Sequence, residues 1–334
     1  MPTQLYDAHG RPLEYVRLAV TDRCNLRCFY CMPEEGIRYV AREQLLSYEE
    51  MTRLVGLLAG LGVRKVRLTG GEPFVRRDLL PFIEQLSRLP GIDDLSLTTN
   101  GVLTAPHVPE LARLGVRSVN LSLDTLDRAN FRRITRRDEL PQVLDTLEAL
   151  LAAGIEVKIN AVVMDGQNTD DLISLAELGR HRPVSVRFIE EMPFNGGSHE
   201  ATPATLPWNH RRIREHLEAH FGPLTPLPTA PGATADEYRI AGHLGRVGII
   251  AAYSRTFCGS CNRLRITAEG GVKTCLYDQG VLDLRALLRG GASDAEVVAA
   301  LAAAFRHRAA NGFEAEQRRP LHQLSFESMS TIGG

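Results

Sequence analysis

The chain has 334 residues, 44% of them hydrophobic, and a formal net charge of −1. That length and apolar content supply a sizeable core, enough for one large domain and a small one, and exclude global disorder. The balanced charge gives no general electrostatic reason to bind nucleic acid or a membrane, no apolar run reaches transmembrane length, and the polar residues 1–10 lack the apolar region of a secretory signal.

A first strand is read at 15–20, and the triplet Cys24, Cys28 and Cys31 follows it at CxxxCxxC spacing. Thiolates so close together select zinc or an iron–sulfur cluster. A structural zinc takes four ligands, and no fourth Cys or His stands nearby. Three thiolates suit a [4Fe-4S] cube with one iron left open. A catalytic zinc with water in the fourth position is the other reading of the same residues.

From there to about Glu191 strands and helices alternate. The further strands are 63–69, 94–98, 118–123, 156–163 and 184–189; amphipathic helices at 47–61, 78–89, 105–114, 141–153 and 169–179 lie among them. Ser47 with Glu50 makes a capping box, and Leu46 with Met51 a hydrophobic staple. Six strands with crossover helices predict a parallel α/β sheet or barrel, short of the eight in a closed one.

Side chains alternate between the faces of a strand. Lys65, Arg67 and Thr69 therefore share a face, as do Ser96 and Thr98, Asn120 and Ser122, and Lys158 and Asn160, with apolar residues opposite. Crossover helices cover the apolar face, so the polar one turns inward. Cations buried there call for water, counter-charges or a large polar ligand. A half-wet antiparallel sheet would show the same alternation, but the crossover segments speak against it. Lys65, Lys158 and Lys273 are the only lysines among 39 basic residues, so a lysine here is not routine surface charge.

Residues 193–232 break the pattern with Asn195-Gly196-Gly197 and repeated prolines around one helix, 208–220, and read as a passage between domains. Beyond it, 233–334 forms a smaller domain. Its strands are 238–240, 245–250 and 264–268, and Ser293 with Glu296 caps a helix running to about Arg306. It carries a second triplet, Cys258, Cys261 and Cys275. A zinc ribbon would need a second CxxC, which makes another open cluster the stronger reading. Arg263 and Arg265 project to one face of the next strand, Leu264 and Ile266 to the other. With Arg17, Lys65, Arg67 and Lys158 they make six cations that the chain can point at one cavity, a set suited to phosphate oxygens. Six unrelated surface charges are the plainer alternative. No P-loop or Rossmann fingerprint is present.

The first triplet resembles the radical S-adenosylmethionine (SAM) superfamily, and Gly70-Gly71-Glu72-Pro73 resembles its segment that receives the amino group of SAM. CNLRCFYC, KVRLTGGEP, LTTNG, NLSLD, FIEEMP, CGSCNRLRIT and MSTIGG, in this order, are similar to the GTP 3′,8-cyclase family within it. The resemblance runs from about residue 10 to the end. Ala19 stands where the family commonly has Ser, and Glu191 where it has an aromatic; neither is a ligand position.

The resemblance implies an α/β fold with an incomplete parallel (β/α)6 barrel over 1–192, a linking passage over 193–232 and an auxiliary-cluster domain over 233–334. It implies two [4Fe-4S] clusters, one on Cys24, Cys28 and Cys31, the other on Cys258, Cys261 and Cys275. SAM would be held by Tyr30, Gly71, Ser122 and Met192. GTP would be held by Arg17, Lys65, Arg67, Thr98, Lys158, Arg263, Leu264 and Arg265, with guanine on the open iron of the second cluster. Arg17, Arg263, Arg265, Gly333 and Gly334 are the expected catalytic set, the terminal glycines entering the cavity to position one of the arginines. The implied reaction makes (8S)-3′,8-cyclo-7,8-dihydroguanosine 5′-triphosphate, the first step of molybdenum cofactor biosynthesis. It implies a cytoplasmic enzyme able to pair as a homodimer, with an electron donor and a downstream cyclic pyranopterin monophosphate synthase, and with no nucleic acid or membrane partner. Its rivals are a two-cluster radical enzyme acting on a peptide and a non-catalytic zinc or nucleic-acid module.

Overall fold

The alternation of polar and apolar residues is realised in one twisted sheet, seen in a computed structural model that describes residues 4–33, 36–192, 205–319 and 328–332. Strands β1 (Tyr15–Ala19), β2 (Lys65–Thr69), β3 (Asp94–Thr99), β4 (Val116–Ser122), β5 (Glu156–Val163) and β6 (Val184–Glu190) are neighbours in that order, all parallel. Helices α1 (Tyr48–Gly60), α2 (Leu79–Ser87), α3 (Val108–Arg113), α4 (Arg128–Thr135), α5 (Leu140–Ala152) and α6 (Leu172–Glu177) lie between them in the chain. Single 3-10 turns at Ala105–His107 and Thr169–Asp171 lead into α3 and α6.

The sheet does not stop at the sixth strand. After α7 (His210–Phe221) come β7 (Thr225–Pro226), β8 (Asp236–Arg239), β9 (Arg246–Ile250), β10 (Arg263–Ile266), β11 (Gly271–Lys273) and β12 (Leu282–Asp283). β9 pairs parallel with β6, and β10 pairs parallel with β1. An edge strand presents unpaired N–H and C=O groups, and these two strands satisfy both edges of the six-stranded run. β11 and β12 continue antiparallel beyond β10, as do β8 and β7 beyond β9. The sheet stays open, because among the described residues its two ends do not pair. The C-terminal stretch, read from sequence as a smaller domain, thus has no sheet of its own among the described residues. It extends the first sheet on both sides and adds α8 (Leu284–Arg289), α9 (Asp294–Arg306), α10 (Gly312–Gln317) and α11 (Met329–Ile332).

The core sits between the helices and the apolar face of the strands. Val66, Leu68, Leu97, Val119, Leu121, Val157 and Ile159 are buried there with Met51, Leu54, Leu58, Phe82 and Leu150. Each such side chain contributes about 1.5–3 kcal/mol on burial. The N-terminus of α1 follows its sequence signal. Ser47 Oγ accepts from Glu50 N at 3.1 Å, Glu50 Oε2 accepts from Ser47 N at 2.7 Å, and Leu46 and Met51 are both fully buried. α4 has no counterpart in the sequence reading. It is short and Arg-rich, and only Phe131, Ile134 and Thr135 are buried, so its apolar stripe is too thin to register as a period.

Candidate active site on the polar face of the sheet

The polar face opens on a cavity of about 830 Å³, at the upper end of ligand pockets, which run from about 300 to about 1,000 Å³. One wall is the loop after β1 with the first cysteine triplet, and that loop is tied down from three directions. Gly71 N and Glu72 N donate to Thr21 O and Arg23 O at 2.9 and 2.8 Å. Arg27 N and Phe29 N donate to Thr135 O and Ile134 O, at the end of α4, at 3.0 and 3.1 Å. Ser328 Oγ, from far down the chain, donates to Cys31 O at 2.6 Å. The contact with the second strand demands glycine, since a Cβ on Gly71 would stand 2.2 Å from Arg23 O.

Two buried carboxyls orient this loop. Glu72 accepts from Asn100 N at 2.7 Å and from Thr99 Oγ1 at 2.9 Å, and burial pushes its carboxyl up to about 7. Asn100 in turn points its amide at Asn25 Oδ1, 2.7 Å away, and at Cys24 Sγ, 3.6 Å away. Asp124, just past β4, accepts from Tyr30 Oη at 2.8 Å and from Val162 N at 2.9 Å, and burial pushes it up to about 6.

Burial also raises the thiols, that of Cys24 to about 11, that of Cys31 to about 12 and that of Cys28 well above the ordinary range. Such thiols ionise when a cation binds them, because a coordinated thiol is deprotonated outright. Among the described residues no three His, Cys, Asp or Glu side chains converge on a single ion. A cube offers each thiolate its own iron, so its sulfurs stand apart instead of converging. Three thiols on one loop, with one iron left open, are a donor set that fits that group.

Strand register lines up the cations. Arg265, Arg17 and Arg67 form one row across β10, β1 and β2, and Arg263, Tyr15 and Lys65 the row beside it. Thr98, Asn120 and Lys158 form a row across β3, β4 and β5, and Ser122, Asn160 and Arg187 one across β4, β5 and β6. All of these line the cavity. Burial, and then the charge of Arg265, holds the pKa of Arg17 well below its ordinary value; burial and Arg263 do the same, less strongly, for Arg265. Burial also lowers Lys158, against the ion pair it makes with Glu156 at 2.8 Å. Lys65 pairs with Asp94 at 2.6 Å and Arg187 with Glu237 at 2.6 Å. The Nε atoms of Arg17 and Arg67, Thr98 Oγ1 and the amide oxygens of Asn120 and Asn160 are buried without a hydrogen-bond partner. Crowded cations and orphaned polar atoms are unfavourable in an empty site and are relieved by a polyanion that fills it.

The second triplet faces the same cavity. Cys258 and Cys261 flank one 3-10 turn, and Cys275 follows β11. Arg255, three residues before Cys258, has a left-handed φ of 57°. Its guanidinium lies 3.6 Å from the ring centre of Tyr277 and 4.2 Å from that of Phe313 and pairs with Glu316 at 2.8 Å. Asp278 Oδ2 accepts from Thr274 N at 2.7 Å and from Cys275 N at 2.8 Å, while Lys273 Nζ donates to Asp278 O at 2.7 Å. Burial alone would raise Cys261, but the charges of Arg263 and Arg308 outweigh it and bring the thiol down to about 6; burial pushes Cys275 up to about 11.

Of the residues expected from sequence, Arg17, Tyr30, Lys65, Arg67, Gly71, Thr98, Ser122, Lys158, Met192, Arg263 and Arg265 line the cavity, as do all the cysteines except Cys28, which packs against the core. Leu264 does not. Its side chain is 1% exposed and lies in the core, on the opposite face of β10 from Arg263 and Arg265, so only its backbone is left to meet a substrate. Gly333 and Gly334 lie outside the described residues, but Met329 and Ser330 of α11 reach the cavity. The third lysine, Lys273, is buried, pairs in register with Arg265 and donates its Nζ to Asp278 O. Sequence reasoning missed Arg187, although the same alternation that picks out Lys158 reaches it. It also missed Tyr15, Asp124, Arg11 and Arg308. Nothing local ties Arg11 and Arg308 to the second triplet, because Cys258 and Cys261 lie 247 and 47 residues away in the chain.

Comparison with known proteins agrees with this geometry. Residues 18–179 match the family model for the Radical SAM superfamily, and residues 184–313 that for Molybdenum Cofactor Synthesis C. A GTP 3′,8-cyclase of Pelotomaculum thermopropionicum is 41% identical over 327 residues, covering 96% of this chain and 99% of that protein. A GTP 3′,8-cyclase of Rhodopirellula baltica is 39% identical over 340 residues, covering 100% and 93%. The mitochondrial GTP 3′,8-cyclase of Arabidopsis thaliana is 40% identical over 313 residues, covering 92% and 78%. Among solved structures, SuiB of Streptococcus suis superposes with a TM-score of 0.63 at 15% identity over 94% of this chain and 70% of its own. That likeness is one of fold alone.

Proposed function

This chain belongs to the GTP 3′,8-cyclase family of the radical SAM superfamily, and we infer that it converts GTP to (8S)-3′,8-cyclo-7,8-dihydroguanosine 5′-triphosphate, the first step of molybdenum cofactor biosynthesis. The observation that carries the reading is the set of cation rows on a cavity that also takes five of the six cysteines. When bound, the first cluster and SAM would supply the radical chemistry that takes the hydrogen from the ribose C3′ of GTP, so that C3′ bonds to guanine C8 and one electron and one proton complete the dihydropurine.

The chain's own residues hold and orient. Cys24, Cys28 and Cys31 hold the first cluster. Gly71 keeps the close approach beside it, and Tyr30, Ser122 and Met192 complete the SAM site, Tyr30 being fixed by Asp124. Arg17, Lys65, Arg67, Lys158, Arg263 and Arg265 neutralise the triphosphate, with the Thr98 hydroxyl and the Leu264 backbone beside them. Cys258, Cys261 and Cys275 would hold the second cluster, whose open iron would take guanine. With the phosphates held at one end and the base at the other, C3′ is presented in one orientation. Orientation of this kind accounts for much of an enzyme's rate. Gly333 and Gly334 position Arg17 or one of the pair Arg263 and Arg265. An electron donor, a downstream cyclic pyranopterin monophosphate synthase, a homodimeric state and a cytoplasmic location belong to the same reading. No helix of the described residues is long and apolar enough to cross a membrane. A peptide substrate is not favoured, since rows of inward cations do not make a peptide groove.

The test is anaerobic reconstitution with iron and sulfide, then incubation with SAM, a reductant and GTP deuterated at C3′. Deuterium should appear in 5′-deoxyadenosine, in proportion to the cyclised product. SAM cleavage without deuterium transfer, or zinc in place of iron in anaerobically purified protein, would overturn the reading.

A further inference from the structure

The second triplet is gripped by a buried ionic network that the reaction as described does not use. Arg308, two residues past the end of α9, has a side chain 3% exposed. Its Nη2 donates to Cys261 Sγ at 3.2 Å, and its Nη1 donates to Cys261 O at 2.9 Å. Its Nε stands 3.5 Å from Oδ2 of Asp7, whose carboxylate is wholly buried. The same oxygen pairs with Arg11 Nε at 2.7 Å. Arg11 then reaches the other cysteine of the CxxC: its Nη1 donates to Cys258 O at 2.9 Å and to Ala310 O at 2.6 Å, and its Nη2 donates to Ala309 O at 2.7 Å. Asp7, Arg11 and Arg308 thus join the N-terminal turn, the end of α9 and the CxxC loop.

A carbonyl-to-guanidinium tie would serve if the network only held the loop. The contact to the sulfur is different in kind. A hydrogen bond and a positive charge at a ligating sulfur both favour the more negative, reduced state of an iron–sulfur cluster, and so raise its potential. Because the guanidinium is shielded from water, its charge acts at low dielectric and is little screened by salt. Arg263 Nε also approaches Cys261 Sγ, at 3.4 Å; both arginines line the cavity, but Arg263 lies in the strand row read as substrate-binding. Arg308 is paired with the buried Asp7 carboxylate and bonded to the Cys261 carbonyl as well as its sulfur.

We propose that Arg308, held by Asp7, sets the reduction potential of the second cluster through its hydrogen bond to Cys261, acting as a positioning and tuning residue for the base-side half of the reaction. The proposal rests on the reading that Cys258, Cys261 and Cys275 carry a cluster.

The test uses the full chain with Cys24, Cys28 and Cys31 changed to Ala, so that the second cluster is the only one present. Iron is counted, and the midpoint potential is followed by the electron paramagnetic resonance signal of the reduced cluster. Arg308→Met, similar in bulk and uncharged, should keep the iron of the parent and shift the potential to more negative values. Arg308→Lys keeps the charge but loses the forked grip, and should fall between the two. An iron-loaded Arg308→Met protein with the parent's potential would overturn the proposal. So would loss of iron from both variants, which would make Arg308 a tie of the loop and nothing more. The parent protein judges the underlying reading separately: if it holds no iron, the second cluster itself is wrong, and the proposal falls with it.

Discussion

Arg265 is the cleanest single probe of the substrate site. It lies in the row with Arg17 and Arg67 and lines the cavity; Arg263 lines it too, but its Nε donates to Cys261 Sγ. Arg265→Ala should weaken GTP binding by about 1.5–3 kcal/mol, the scale of a hydrogen bond to a charged group, and leave SAM binding nearly unchanged. Anaerobic calorimetric titration with each ligand decides it, and equal losses for both would make the arginine structural. Asp124 makes a second prediction, about pH. Burial raises its carboxyl to about 6. A carboxyl raised in the folded state favours the fold most below its unfolded value near 4, and that contribution is lost as pH rises through about 6. Asp124→Asn removes the dependence. Between about pH 5 and about pH 8 the wild type should therefore lose about 1.4 kcal/mol more than the variant in denaturant unfolding. Parallel pH profiles would mean that Asp124 stays ionised throughout.

At the scale of elements, the joint between β2 and the first cysteine loop matters most. The loop is not stabilised by its own sequence; it borrows backbone partners from the segment after β2, from the end of α4 and from Ser328. Gly71→Ala puts a methyl group where the Arg23 carbonyl stands. The two segments must separate, and with them the seat of the first cluster and of SAM. Iron in the reconstituted variant should fall from about eight per chain toward about four, four being the content of one cube, with SAM binding lost. Gly56→Ala, inside α1 with open space around its Cβ position, is the matched control and should stabilise the protein by about 0.5–1 kcal/mol. Full iron in the Gly71 variant would mean that the loop holds its shape without that contact.

On the scale of the whole molecule, cysteines of both triplets meet at one cavity with Arg11, Met329 and Ser330. Changing Cys258, Cys261 and Cys275 together to Ala should halve the iron, from about eight to about four per chain. It should still permit reductive cleavage of SAM, because the first triplet is seated on different elements. Loss of all iron would mean that the two seats fold as one. The tail gives the last expectation. Ser328 is bonded to the first cysteine loop, and Met329 and Ser330 line the cavity. Removing Gly333 and Gly334 should leave folding, iron content and GTP affinity intact and abolish deuterium transfer from GTP, since a misplacement of about 1 Å can cost on the order of a hundredfold in rate. Product formation at the full-length rate would make the tail an ordered end only.

The sequence by itself determined whatever depends on spacing and period. CxxxCxxC brings three thiols onto one loop within eight residues, and alternation puts Lys65, Arg67, Asn120 and Lys158 on the face away from the helices, because the apolar face must be covered. The six parallel strands and the capping boxes of α1 and α9 were legible for the same reason. Tertiary structure decided which strands became neighbours. β10 lies beside β1 although some 250 residues separate them, and only that pairing puts Arg263 and Arg265 in rows with Arg17, Arg67 and Lys65. Pairing across an open edge is driven by unsatisfied backbone groups, which every strand possesses alike and no residue pattern marks. The network of Asp7, Arg11 and Arg308 was hidden for a related reason. An ion pair buried between distant segments depends on the packing that excludes water from it, and no local stretch of sequence records that.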